Sequence, residues 1–255
     1  MGLFSKKFCD ICGEKIGFLG NRKLEDGNLC KHCAAKLSPW FSDRRNSTVA
    51  EIQAQLAYRE ENRKAVAAFR ITRTVGEDMR VLLDEDAKLF MITDERNLEE
   101  SNPDVLEFAQ VTGCKLDIEE EADEEMTEDK EGNSVSYNPP RFTYHYDFHV
   151  TVHVNHPYFS EMEFSLNSSQ VDTTPNGAVT AMRKPNPRLN QEYRQYEAMG
   201  REIVKVFEDD RKWRRKAAEL AAKPKAAVVC PNCGATTTPD ASGRCEYCGG
   251  AVDDI

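Results

Sequence analysis

Eight of the nine cysteines in this 255-residue chain form four Cys-x-x-Cys pairs, which lie near its two ends. Two residues between cysteines let one tight turn direct two thiolates at one ion, and two such turns complete a closed tetrahedral site. The sequence therefore predicts two structural Zn²⁺ ions per chain. Their candidate ligands are Cys9, Cys12, Cys30 and Cys33 in one set, and Cys230, Cys233, Cys245 and Cys248 in the other.

The same spacings also occur in disulfide, redox and iron sites. We expect no secretory signal, because no apolar run follows the two lysines of residues 1–7, and the thiols should then stay reduced. A thioredoxin-like site needs one Cys-x-x-Cys beside a βαβ pattern, and no such pattern flanks these pairs. Iron in a rubredoxin-like site stays open as the competitor of zinc.

The residues around each set predict two different small modules. In the first set, a hairpin over 17–28 with a turn at Asp26-Gly27 precedes a short helix over 31–37, which is an arrangement of the treble-clef kind. His32 lies between two ligands, but four thiolates already fill the shell. In the second set, Gly234 and Gly249 each follow a pair, and this double knuckle resembles a zinc ribbon over 228–252.

Charge is distributed unevenly along the chain, whose net charge is −10. Residues 76–131 carry 21 acidic and 5 basic side chains, whereas residues 183–225 carry 13 basic and 7 acidic ones. The middle should therefore repel nucleic acid, while the ends need not. The hydrophobic content of 40% is enough for one core, and no apolar stretch reaches the 18 residues expected of a membrane span.

A polar helix and a series of short strands follow the first module. Thr48 and Glu51 form a capping box, and the helix that they start should run to about Phe69 as a surface or connecting helix. Strands are predicted over 71–75, 79–83, 88–93, 105–111 and 114–118. The acidic stretch 119–138 is predicted to be a solvated loop, with a hairpin tip at 128–133.

The clearest strand pattern covers 142–154, where apolar residues alternate with polar ones, and 161–166 should be its partner. His145, His149 and His153 lie on its outer face about 13 Å apart, so no single ion can contact two of them. A loop is predicted over 171–187. An amphipathic helix should begin near Leu189 and end before Pro224, with a basic segment over Arg211–Lys216.

The predicted fold class is a multidomain α+β protein. About seven antiparallel strands followed by one long helix resemble the pleckstrin-homology-like fold, so we expect a central antiparallel barrel or sandwich. The predicted domains are a four-cysteine zinc finger at 1–46, a connecting helix at 47–68, the central domain at 69–222, a linker at 223–229 and a zinc ribbon at 230–255.

The N-terminal region has a closer resemblance. The segments Phe8–Ile16, Leu24–Cys30 and Cys33–Pro39 look like an uncharacterised bacterial zinc-finger family that is known only as a domain of unknown function. The resemblance covers roughly the first 50 to 70 residues, and the family's four cysteines correspond to the first set without departure. It implies a metal-bound module and brings no activity with it.

The sequence favours a non-enzymatic, cytoplasmic adaptor with an unknown protein partner. It contains no nucleophile elbow, no P-loop and no metalloprotease motif, and two filled thiolate shells leave no open metal position. The alternatives are nucleic-acid binding by the ends and peripheral contact with an anionic membrane through Arg211–Lys216 around Trp213. The unpaired Cys114 alternates with Leu116 and Ile118, so we expect it in the core.

Overall fold

The computed structural model describes residues 7–222, 227–240 and 243–252, with side chains through residue 219 of the first range. The chain forms two compact units, residues 1–210 and residues 211–255. The first unit contains the predicted finger and most of the predicted central domain. Residues 223–226 of the predicted linker lie outside the described residues, and the predicted domain boundaries stay predictions.

The first unit begins with a small cysteine-rich module. Its hairpin pairs β1 (Arg22–Lys23) with β2 (Asn28–Leu29), which confirms the predicted hairpin, and α1 (Lys31–Ala34) follows at once. Leu24 and Leu29 are fully buried beneath the hairpin. A module this small has a core of only a few apolar side chains, so an ion bound by its cysteines would add stability that burial supplies only in part.

Helix α2 (Val49–Ala68) starts at the predicted capping box, in which the Thr48 and Glu51 side chains each accept a hydrogen bond from the other's backbone N–H. The prediction was a surface or connecting helix, and the helix also has one buried face. On this face Ile52 is fully buried, and Gln55, Arg59 and Asn62 are each at most 5% exposed. The helix is therefore packed along a polar stripe, which a search for apolar residues does not detect.

A four-stranded antiparallel sheet follows, in the order β3 (Arg73–Val75), β4 (Arg80–Asp84), β5 (Leu89–Thr93) and β6 (Leu106–Glu107). A short helix, α3 (Leu98–Ser101), lies between β5 and β6. The first three strands confirm the prediction to within two residues. The strand predicted over 105–111 is shorter, because a 3₁₀ turn at Phe108–Gln110 interrupts it.

The second sheet is built around two long antiparallel strands, β7 (Val111–Glu128) and β8 (Ser134–Val154). The acidic stretch predicted as a loop is therefore a β-ribbon, although its tip lies within the predicted range. Composition misled the prediction, because the cross-strand ladder satisfies the backbone groups while the carboxylates stay in water. Among the described residues, β7 pairs only with β8.

Three further strands pair with the opposite edge of β8. They are β9 (Glu161–Ser165), β10 (Val171–Asp172) and β11 (Val179–Thr180), and the last two lie in a segment predicted as loop. The alternation over 142–154 is confirmed, since Tyr144, Tyr146 and Phe148 are buried and the intervening histidines are partly exposed. Val150 pairs with Phe164 in the predicted partner strand.

The described strands of the middle region form two open sheets and no closed barrel, so the barrel expectation is wrong. Helix α4 (Gln191–Ala222) supplies Tyr193, Ile203 and Phe207 to the core that both sheets share. The ring of Phe207 lies 4.9 Å from that of Phe90, edge to face. The observed fold is thus a mixed α+β arrangement in which a helix completes the core of two sheets.

The second unit contains a smaller cysteine-rich module. Strand β12 (Val228–Val229) pairs antiparallel with β13 (Thr236–Thr237), and a single bridge joins Arg244 to Ala251. Its buried apolar residues include Val252 and two of the cysteines. Across both units, no described helix has the length and apolar character that crossing a membrane requires.

Candidate metal centres

The structure brings the four cysteines of the first set together. Their Sγ atoms all lie within 4.8 Å of one another, and the Sγ atoms of Cys12 and Cys30 are 3.8 Å apart. A tetrahedral ion with bonds of about 2.3 Å to sulfur places neighbouring sulfurs about 3.8 Å apart. This separation also exceeds the bond of about 2.05 Å that a disulfide requires.

Local backbone structure holds these four thiols in place. The Cys9–Gly13 turn is closed by the Gly13 N–H, which donates to the Cys9 carbonyl at 2.8 Å, and Gly13 has a φ of +73° that suits glycine. Cys30 caps the N-terminus of α1, where its Sγ accepts from the Cys33 N–H at 3.3 Å. The Cys9 Sγ accepts from the Cys30 N–H at 3.3 Å, so turn and helix are joined at the site.

The second set has the same clustering on a different frame. Its four Sγ atoms also lie within 4.8 Å, with 3.6 Å between those of Cys230 and Cys248 and 3.8 Å between those of Cys233 and Cys245. Two equivalent turns hold these thiols. The Gly234 N–H donates to the Cys230 carbonyl, and the Gly249 N–H donates to the Cys245 carbonyl, each at 2.9 Å.

The electrostatics of both sets favour a bound cation. Against the opposing effect of burial, the backbone N–H groups of Cys12 and Cys30 lower the pKa of Cys9 to about 6. Burial and the neighbouring thiols together raise the pKa of Cys33. In the second set, backbone N–H groups lower the pKa of Cys245 to about 6 although burial opposes them. One thiol of each set thus ionises readily, and a cation would draw the others into the thiolate form.

The donor chemistry fits a thiophilic ion. Four sulfur donors in tetrahedral arrangement suit Zn²⁺, and they also suit iron. When bound, such an ion would cross-link two turns of each module and complete a core that is otherwise very small. All four donors come from the protein, so the tetrahedral shell is full.

The other candidate residues do not join these sites. His32 is exposed and belongs to neither cluster. His145, His149 and His153 remain separate, and each lies 3.7–3.9 Å from a different carboxylate. Cys114 is partly buried against the core, where burial, with Glu208 adding to it, raises the pKa of its thiol to about 12.

Sequence reasoning missed a buried polar network beside the first module. The Asp104 carboxylate is fully buried and accepts hydrogen bonds from Arg59 Nη1 and from Ser38 Oγ, each at 2.7 Å. Arg59 Nε also donates to the Lys36 carbonyl at 3.3 Å. Lys36 and Ser38 follow helix α1, which carries Cys33, whereas Asp104 precedes β6. The network therefore joins the first module to the central sheet through α2.

A spacing signal for this network exists in the sequence. The buried positions of α2 recur at intervals of three and four residues, which is the period of a helix face packed against a partner. Polar side chains occupy the middle of that stripe. The helical spacing of the buried positions can therefore be read from the sequence, but their polar character does not indicate burial. The stripe comprises Ile52, Gln55, Arg59, Asn62 and Val66.

Comparison with known proteins adds one finding about the first module. Neither the curated proteins nor the solved structures contain a match to this chain. Residues 7–55 match a known family that is described as a domain of unknown function, DUF4428, and this stretch contains all four cysteines of the first set.

Proposed function

We propose that this protein is a non-enzymatic adaptor in which two structural Zn²⁺ ions hold small interaction modules. The observation that carries the proposal is the pair of four-cysteine clusters, each with Sγ atoms within 4.8 Å. A shell completed by four protein thiolates has no position for substrate or water, so its metal stabilises a fold rather than activating a reactant.

The two modules differ in how they are supported, and this difference favours separate binding roles. The first is joined to the central sheet by the buried Arg59–Asp104 pair, so it can present a surface of fixed geometry. The second belongs to the other compact unit, residues 211–255, and has its own few buried residues. A chain with two metal-stabilised modules suits an adaptor, because each module can bind a different protein.

We also propose that the central region is related to the pleckstrin-homology-like fold. Support comes from the order of its elements, in which antiparallel strands precede a single long helix that fills the core with Tyr193, Ile203 and Phe207. Such kinship would fit an adaptor, although a fold by itself does not fix a function.

Elemental analysis of the purified full chain tests the metal part. We expect two zinc ions per chain, and one after the double substitution Cys9→Ser with Cys12→Ser. Cys114→Ser is the matched control, because it removes a thiol outside both clusters and should leave two ions bound. Finding no zinc, or finding iron at both sites, would refute the proposal of two zinc sites.

The adaptor part needs a test of its own. Cross-linking in the native host followed by mass spectrometry should identify partners that are lost when Cys9 and Cys12, or Cys230 and Cys233, are replaced by serine. The Cys114→Ser chain should retain all of them. If both double variants capture the same proteins as the unmodified chain, the metal modules are not the binding surfaces and the proposal fails.

A further inference from the structure

The first module ends in an apolar turn at its surface. Gly17 and Gly20 close a four-residue turn through a 3.0 Å hydrogen bond from the Gly20 N–H to the Gly17 carbonyl. Its two central residues are Phe18, which is 87% exposed, and Leu19, which is 76% exposed. Turn centres normally carry Gly, Pro, Asn, Asp or Ser, so two large apolar residues at this position need an explanation.

Cations surround this turn. The Arg22 side chain donates to the Leu19 carbonyl at 3.4 Å, which places its guanidinium beside the turn. An open cavity of about 420 Å³ lies between the turn and the start of α1, and its lining includes Lys15, Lys31 and a single carboxylate, that of Glu14. The apolar turn is therefore bordered by positive charge on two sides.

The positive charge continues along the hairpin. Arg44 Nη1 donates to the Lys23 carbonyl at 2.7 Å, which brings its guanidinium to the β1 side of the hairpin. Burial, followed by the charges of Arg22 and Arg45, lowers the pKa of Arg44, so the Arg44 guanidinium lies within electrostatic range of both. Within the described part of the chain, Lys15, Arg22, Lys31, Arg44 and Arg45 form no ion pair with a carboxylate. Grouped cations without a carboxylate partner suit an external anion.

We propose that the first module docks on an anionic phospholipid surface, with Phe18 and Leu19 inserted among the lipids and the surrounding cations at the headgroups. An apolar tip ringed by Lys and Arg matches the two layers of a membrane interface, since the acyl boundary takes the apolar residues and the phosphates take the cations. The proposal rests on the metal-bound fold of this module and is independent of the adaptor role.

A bilayer fits these features better than the other polyanion that they suggest. Nucleic acid would pair with the cations, but its phosphate backbone would leave the leucine of the turn in water. A lipid surface accounts for the aromatic ring, the leucine and the cations together. The net charge of the chain as a whole, −10, opposes binding to an anionic surface, so the cations around the turn must supply the local attraction.

Vesicle co-sedimentation of the metal-loaded full chain tests the proposal. Binding should occur with vesicles of phosphatidylcholine and phosphatidylserine, and it should fall strongly with pure phosphatidylcholine. Replacing Phe18 and Leu19 by serine should lower the partition constant about a hundredfold or more, because burial of each side chain contributes at least about tenfold. Replacing Lys15 and Arg22 by glutamine should lower it about 25-fold, at about fivefold for each cation.

Met182→Ser is the matched control, because Met182 is 98% exposed and lies in a turn of the same unit outside the first module. It should bind vesicles like the unmodified chain. Zinc content identical in all variants shows that the module is intact. In a Trp213→Phe background, Phe18→Trp adds a readout at the turn, since its emission should shift to the blue on vesicles. Binding that is unaffected by the Phe18 and Leu19 substitutions, absence of any blue shift, or nucleic acid that binds in preference to vesicles would each overturn the proposal.

Discussion

The buried pair of Arg59 and Asp104 gives the sharpest test of how this fold is held together. Asp104 is fully buried and accepts hydrogen bonds from Arg59, Ser38 and Tyr58. Removing one partner of a buried ion pair leaves an uncompensated charge, which costs about 3–5 kcal/mol. We therefore expect Asp104→Ala to destabilise the first unit by that amount, equivalent to a fall of about 6–20 °C in its Tm.

The same chain provides a matched control for burial. Lys64 and Glu61 form an ion pair of the same 2.7 Å length on the same helix, but their side chains are 75% and 70% exposed. Lys64→Ala should cost less than about 0.5 kcal/mol, because water already solvates both charges. A difference in stability loss between the two variants is therefore due to the burial of the Arg59–Asp104 pair and not to the distance between its charges.

Urea unfolding of the metal-loaded chain is the assay. The chain has two tryptophans, so a Trp213→Phe background leaves Trp40 as a fluorescent reporter within the first unit. Asp104→Leu combined with Arg59→Met should recover part of the lost stability, since it removes both charges at once. If Asp104→Ala costs less than about 1 kcal/mol, like the exposed control, the network does not join the module to the sheet.

Three further substitutions, one of which is a control, test other parts of the structure. Gly76→Ala should destabilise the fold by about 2–5 kcal/mol, because φ is +111° and the new Cβ would lie 2.1 Å from the Met79 carbonyl oxygen. Gly177→Ala is the control, since Gly177 has a φ of +104° but open space around it, and it should cost only the backbone strain of about 1–2 kcal/mol. Equal losses of stability in thermal unfolding would contradict the clash at Gly76. Arg188 holds the pKa of Glu197 below its usual value, with burial opposing it and Arg201 adding to it. Glu197→Gln should therefore lower the free energy of unfolding by about 1 kcal/mol at neutral pH. The difference in stability between the two chains should vanish as pH falls below the unfolded-state pKa of about 4.3 and through the lower folded-state pKa. Urea midpoints at several pH values that show a constant difference would argue against this ion pair.

The cysteine sites were predictable because their spacing is a local property. Two residues between thiols limit the turn, and the following glycine accepts the left-handed backbone that the turn needs, as at Gly13 and Gly249. The strand 142–154 was predictable for a similar reason, because alternation over so many residues has one structural solution. Neither prediction required knowledge of what lies across the fold.

The remaining features depend on distant partners. Arg59 looks solvated in sequence, and only the approach of Asp104, 45 residues later, makes it a buried residue. The acidic stretch after Ile118 looks like a loop because of its many carboxylates, but its backbone pairs with β8. Phe18 and Leu19 look like part of a hairpin, and only their exposure in the folded turn sets them apart.

The long ribbon formed by β7 and β8 has a consequence for self-association. The outer edge of β7 has no partner strand among the described residues, and an open edge of this kind invites another chain to add a strand. Seven of the ten residues from Glu119 to Glu128 are acidic, so two copies meeting edge to edge would place like charges opposite each other. Charge thus opposes pairing between two such edges, and replacing these carboxylates by neutral side chains should make the ribbon the point at which copies of the chain associate.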